Sequence, residues 1–209
     1  MTVPDREKES ACEDLCRFLS ACYYEPDPAF TEERMFDSML TAAGRLDPEL
    51  AVFARRLGDT FAAQDLQELL IDYTRLFLGP PEALAKPYGS FWLSPEPALM
   101  QDSTLAVMEL YREGGFEVDE GFMDLPDHIA VELEFLYLLV FKQNEASRAG
   151  LPEVRADWEK LQSMFLREHL GLWVGPFAAA VSSIAQTPFY RELAEFTQRF
   201  IRMEMSGGL

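Results

Sequence analysis

Apolar residues along this chain recur mainly every three or four positions. In DLQELLIDYTRLFLGPP, residues 65–81, Leu66, Leu69, Leu70, Tyr73, Leu76 and Phe77 share one helical face, and Gly79-Pro80-Pro81 ends the pattern. The same spacing predicts helices over about 6–23, 31–43, 97–113, 127–146, 152–169 and 171–185. Asp47-Pro48 and Thr187-Pro188 each set a capping side chain before a proline at the first helical position, so two more helices are expected to start there. From Phe135 to Phe141 the sequence is apolar nearly all round, which predicts a central rather than a surface helix. No alternating run bounded by turn signals predicts a strand. The expected fold is all-α, a single multi-helix bundle.

Two stretches interrupt the helical period. Residues 79–97 hold five prolines, each of which pushes its predecessor away from helical geometry, and read as an irregular, aromatic-bearing connection. Residues 113–127 hold three glycines and six acidic residues and read as a solvated linker. The chain therefore divides into an N-terminal helical part, 1–112, an acidic Gly-rich hinge, 113–126, and a C-terminal helical part, 127–209, expected to form one compact domain.

Composition narrows the function. At 209 residues and 48% hydrophobic the chain can bury a substantial core. A formal net charge of -18 repels a phosphate backbone, which argues against nucleic acid and leaves a basic peptide as the partner such a surface would steer. The polar opening MTVPDREKES carries no export signal, and no apolar run reaches transmembrane length, so a cytoplasmic protein without stable membrane insertion is expected. Cys12, Cys16 and Cys22 lack CxxC spacing and read as buried free thiols.

The stretch MDLPDHIAVELEFLYLL, residues 123–139, concentrates the candidate chemistry. Asp127 reads as the cap of the helix it opens, with Leu125 packing on Val131 as a staple. His128 then falls on an exposed first turn beside the linker. Free N–H groups, an acid and an imidazole together could receive a ligand. His128 and Glu132 lie one turn apart, but two ligands do not close a metal site, and no metal is expected. Glu132 and Glu134 flank an apolar helix and should face solvent, an arginine or the ligand. His169 lies near a helix end and is expected to be structural there. Tyr73, Phe77, Trp158, Trp173, Phe189 and Phe196 have helical spacing and read as core, whereas Trp92, in the proline-rich connection, is a plug over the core or part of a groove.

Five segments taken together, YTRLFLGP at 73–80, PYGSFWL at 87–93, LYREGGF at 110–116, PDHIAVELEFLYLL at 126–139 and FLREHLGLWVGPF at 165–177, resemble in order and spacing the TorD/DmsD family of cytoplasmic chaperones for molybdenum-containing redox enzymes. Gly89 departs from the acidic residue common in relatives, and ELEFLYLL lacks their methionine after the phenylalanine. The resemblance implies an all-helical, TorD-like fold, as a monomer or a domain-swapped dimer. It implies no catalysis, but binding of the twin-arginine leader of a partner molybdopterin oxidoreductase in its apo form, and delayed export until cofactor insertion. Its peptide site would comprise Tyr88, Ser90, Trp92, Pro126, Asp127, His128 and Glu132. No cofactor is expected, beyond the weak GTP binding that the resemblance brings in. Rival readings are a dimerising scaffold without peptide affinity and a nucleotide hydrolase, for which no phosphate-binding loop or nucleophile motif is present.

Overall fold

The computed structural model describes residues 3–78, 83–94, 98–118 and 124–207, with side chains from residue 7 onward. Helix α1 (Val3–Cys22) lies along α8 (Ile129–Ala149), the central helix. A short α2 (Ala29–Glu32) leads into the antiparallel pair α3 (Met35–Leu46) and α4 (Pro48–Ala62), and α5 (Leu66–Phe77) follows. The one-turn α6 (Gly89–Leu93) and α7 (Asp102–Gly114) precede α8, after which α9 (Pro152–Phe165), a π-helical turn (Leu166–Leu170), α10 (Gly171–Ile184) and α11 (Pro188–Met205) complete the bundle. Among the described residues there are no strands, only an isolated bridge between Tyr88 and His128.

Sequence pattern explains most of these elements. Ala11, Cys12, Leu15, Cys16, Leu19 and Cys22 follow helical spacing and are buried, so α1 presents a small-residue face to α8; all three thiols are free and interior. Asp47 accepts hydrogen bonds from the amides of Glu49 at 2.7 Å and Leu50 at 3.3 Å, the predicted cap of α4. At the other predicted Pro-start the physics differs. Thr187 makes no capping bond; its hydroxyl donates to Asp72 Oδ2 at 2.9 Å, and the same oxygen accepts from the amides of Gln186 and Thr187. A buried carboxylate from α5, held also by Arg75 at 3.1 Å, thus prepares the entry to α11.

The predicted N- and C-terminal parts share one core. α1 packs on α8, α4 on α11, and Phe36, Phe61 and Phe189 meet with ring centroids 4.9–6.2 Å apart. Of the predicted hinge, α7 runs on to Gly114, Gly115 takes the left-handed conformation (φ 65°) that closes a helix, and residues 119–123 lie outside the described residues. The proline-rich connection is less irregular than expected, since α6 lies inside it.

The π turn has a specific local requirement. The Gly171 amide reaches Leu166 O, five residues back, and a Cβ at 171 would lie 2.3 Å from that oxygen. Glycine permits this turn, which separates α9 from α10 and carries His169.

Candidate functional site

The site is built where α6, α7 and α8 begin. Gly89 N donates to Asp127 O and Ile129 N to Pro87 O, each at 2.8 Å, so the strand-like backbones at Tyr88 and His128 pair antiparallel. Contrary to the expectation from the sequence, the Asp127 side chain does not cap its own helix. Its Oδ2 accepts from the Ser90 amide at 2.7 Å and the Thr104 hydroxyl at 3.2 Å, fastening α6 and α7 to the start of α8. The α8 cap is His128, whose Nδ1 accepts from the Ala130 amide at 3.1 Å. An Nδ1 acting as acceptor is unprotonated, and burial pushes the imidazole down to about 4, although Asp124 and Asp127 favour its charged form. His128 is interior, 4% exposed, not on the open first turn that the sequence suggested.

Directly beneath, Glu132 is fully buried and faces neither solvent nor an arginine, two of the partners the sequence suggested. One of its oxygens lies 2.8 Å from His169 Nε2, and the other accepts from the Trp173 indole at 3.0 Å. Burial alone would lower His169, but the Glu132 carboxylate outweighs it and raises the imidazole above its ordinary value. His169 is therefore held chiefly by the buried Glu132 carboxyl group rather than by a helix dipole. A Cβ on Gly89 would come within 3.0 Å of Glu132 Oε1, His169 Nε2 and Trp173 Nε1 alike, so this glycine lets α6 lie against the polar trio.

The structure brings the predicted residues together but hides most of them. Tyr88, Ser90, Asp127, His128 and Glu132 are buried, while Pro126 and Trp92 are half-buried at the edge. Trp92 is a plug: it packs on Phe177 and donates its indole N–H to Lys86 O at 2.8 Å. Ser90 Oγ and Asp127 Oδ1 are buried without a hydrogen-bond partner among the described residues. The Tyr111 hydroxyl donates to Pro126 O at 2.9 Å and braces the corner from α7. The described residues hold no group of three or more side chains suited to a metal.

Above the corner lies a cluster that sequence reasoning missed in part. Tyr24 stacks on His128 with ring planes 17° apart and donates its hydroxyl to Glu134 at 2.8 Å. Burial and then the charges of Glu25 and Asp124 push Tyr73 up to about 12, and burial and Asp124 also raise Tyr24 and Tyr88. Glu25 is exposed and Asp124, Glu134 and Tyr24 are half-buried. No lysine or arginine pairs with these three carboxylates among the described residues. The signal for this rim was YYEP at 23–26, an aromatic and an acid placed after a helix end. Chemically it is an anionic shelf walled by tyrosine rings, suited to a guanidinium.

Comparison with known proteins agrees with this architecture. Residues 43–179 match the family model described as nitrate reductase delta subunit. A chaperone protein TorD from Shewanella loihica is 26% identical over 178 residues, covering 83% of this chain and 78% of the relative. One from Vibrio parahaemolyticus is 31% identical over 150 residues, covering 71% and 67%. A crystal structure described as that of a redox enzyme maturation protein from Archaeoglobus fulgidus shares the fold with a TM-score of 0.55 at 24% identity, covering 91% of this chain and 93% of that one. The chain belongs to the nitrate reductase delta subunit family, and its relatives include proteins named as TorD chaperones.

Proposed function

We propose that this protein binds the twin-arginine leader of a molybdenum-containing oxidoreductase in the cytoplasm and withholds the apo-enzyme from export until its cofactor is inserted. The observation carrying this reading is the rim of Glu25, Asp124 and Glu134 among Tyr24, Tyr73 and Tyr88. Carboxylates without arginine or lysine partners can each take a guanidinium, and the half-buried Tyr24 ring offers it a face, with Tyr73 and Tyr88 packed behind. Pro126 and Trp92 are the predicted site residues a leader can touch directly. Tyr88, Ser90, Asp127, His128 and Glu132 act by holding the rim in place. The net charge of -18 supplies long-range attraction for a basic segment.

Calorimetry with leader peptides of molybdoenzymes from the same genome tests the reading. At least one leader should bind, its double Arg→Ala variant should bind about tenfold or more weakly, and the gap should widen at low salt, where charges are less screened. Absence of binding by every leader, or equal affinity for the arginine-free peptide, would overturn it.

A further inference from the structure

At the opposite end of α8, roughly 20 Å from His128 by helical rise, a cavity of about 310 Å³ opens between α1, α8, α9 and α11. Glu204 lines it, along with Glu9, Cys12, Gln143, Gln162 and Arg167. The hydrogen bonds around it run in one direction. Gln143 donates to the Gln162 side-chain oxygen, and Gln162 donates to Glu204 Oε2 at 2.9 Å. Yet Glu204 Oε1 is buried with no partner among the described residues.

The charges of the cavity leave that oxygen uncompensated. Arg155 is engaged by Glu9 at 2.7 Å and Glu159 at 2.7 Å, and it also donates to the Ser147 hydroxyl. Arg167 is exposed, and its Nε donates to Ser163 O. Glu204, half-buried as a residue, thus sets a buried carboxylate oxygen beside the cavity, and neither arginine of the lining pairs with it. Buried polar atoms in folded proteins are almost always satisfied, and a carboxylate oxygen takes N–H donors, charged ones best.

We propose that this cavity binds a small organic cation, a guanidinium or primary ammonium group that donates an N–H to Glu204 Oε1. Its volume lies at the lower end of small-molecule sites, enough for such a head group and a short stem. Free cations and the arginine or lysine side chain of a partner share this chemistry. The site is separate from the leader rim and does not depend on it.

The test is an NMR titration of the full-length protein that follows the side-chain amides of Gln143 and Gln162. Agmatine should shift both in a saturable way, whereas tetramethylammonium, a cation without N–H donors, should not. A short peptide with one arginine that saturates the same signals at lower concentration than agmatine assigns the site to a partner's side chain; the reverse order assigns it to a free cation. Glu204→Gln keeps the bond from Gln162 and removes the charge; it should weaken agmatine about tenfold or more while leaving leader affinity unchanged. Absence of a saturable shift in the wild-type protein, an equal shift with tetramethylammonium, or undiminished affinity in a folded Glu204→Gln variant would each overturn the proposal. The wild-type titration decides even where the variant fails to fold.

Discussion

The chain has two histidines, and their surroundings invite comparison. Both rings are withdrawn from water, His128 at 4% and His169 at 2% exposure. His128 meets a backbone amide and serves as a neutral cap, whereas His169 meets the Glu132 carboxyl group, which raises the imidazole above its ordinary value. Desolvation acts against the imidazolium in both cases, so the partner decides the outcome. One end of the corner is thus set to stay uncharged at neutral pH, directly beneath an anionic rim. The other is held against a carboxyl group that no solvent reaches. The contrast separates what builds the corner from what it presents: a histidine–glutamate pair and a cap inside, carboxylates and the half-buried Tyr24 outside.

The deepest test of this contrast removes the carboxylate. Glu132→Ala strands a buried imidazole and the Trp173 indole N–H, and should cost about 3–5 kcal/mol in urea denaturation. A loss below about 1 kcal/mol would mean that the pair behaves as a surface contact. Glu132→Gln, which keeps an acceptor for the indole, should fall between the two.

Acid sharpens the comparison from the other side. Unfolded His128 takes up a proton near 6.5, and the folded ring only near 4. Its contribution is therefore complete above about 6.5 and is lost as pH falls towards 4, on the order of 3 kcal/mol from a shift of this size. His169 has the opposite sign: its raised folded value gives a contribution that is complete below about 6.5 and lost as pH rises through that value. His128→Asn keeps a capping oxygen for Ala130 and should flatten the acid limb of a stability–pH curve, leaving the alkaline limb in place. An unchanged acid limb would remove His128 as its source.

How far the sequence discloses this arrangement depends on the reach of each interaction. The α5 face, the Asp47 cap and the all-round apolar character of α8 are contacts within a few residues, and their spacing is visible in the chain. The partner of Glu132 lies 37 residues away at His169, and Asp127 serves Ser90, 37 residues back. No local pattern encodes such pairings, so Asp127 reads as the cap of its own helix and His128 as exposed. The helix does start at Thr187-Pro188, but the Thr187 hydroxyl is drawn from capping to Asp72, which arrives from 115 residues earlier. The motif at 126–128 does mark the right corner. Its neighbours Tyr24, Glu25 and Asp124 escape notice because two of them come from the end of α1 and gain meaning only when that helix lies along α8.

The smallest structural change bears on the central claim. Asp124→Asn and Tyr24→Phe alter half-buried rim groups, and each should change stability by less than about 1 kcal/mol. Calorimetric affinity for a twin-arginine leader, measured on these two variants alongside the wild-type protein, is the most direct measurement. An anionic tyrosine-walled rim predicts several-fold weaker binding in both, with the melting transition nearly unmoved. Wild-type affinity in both folded variants would contradict it.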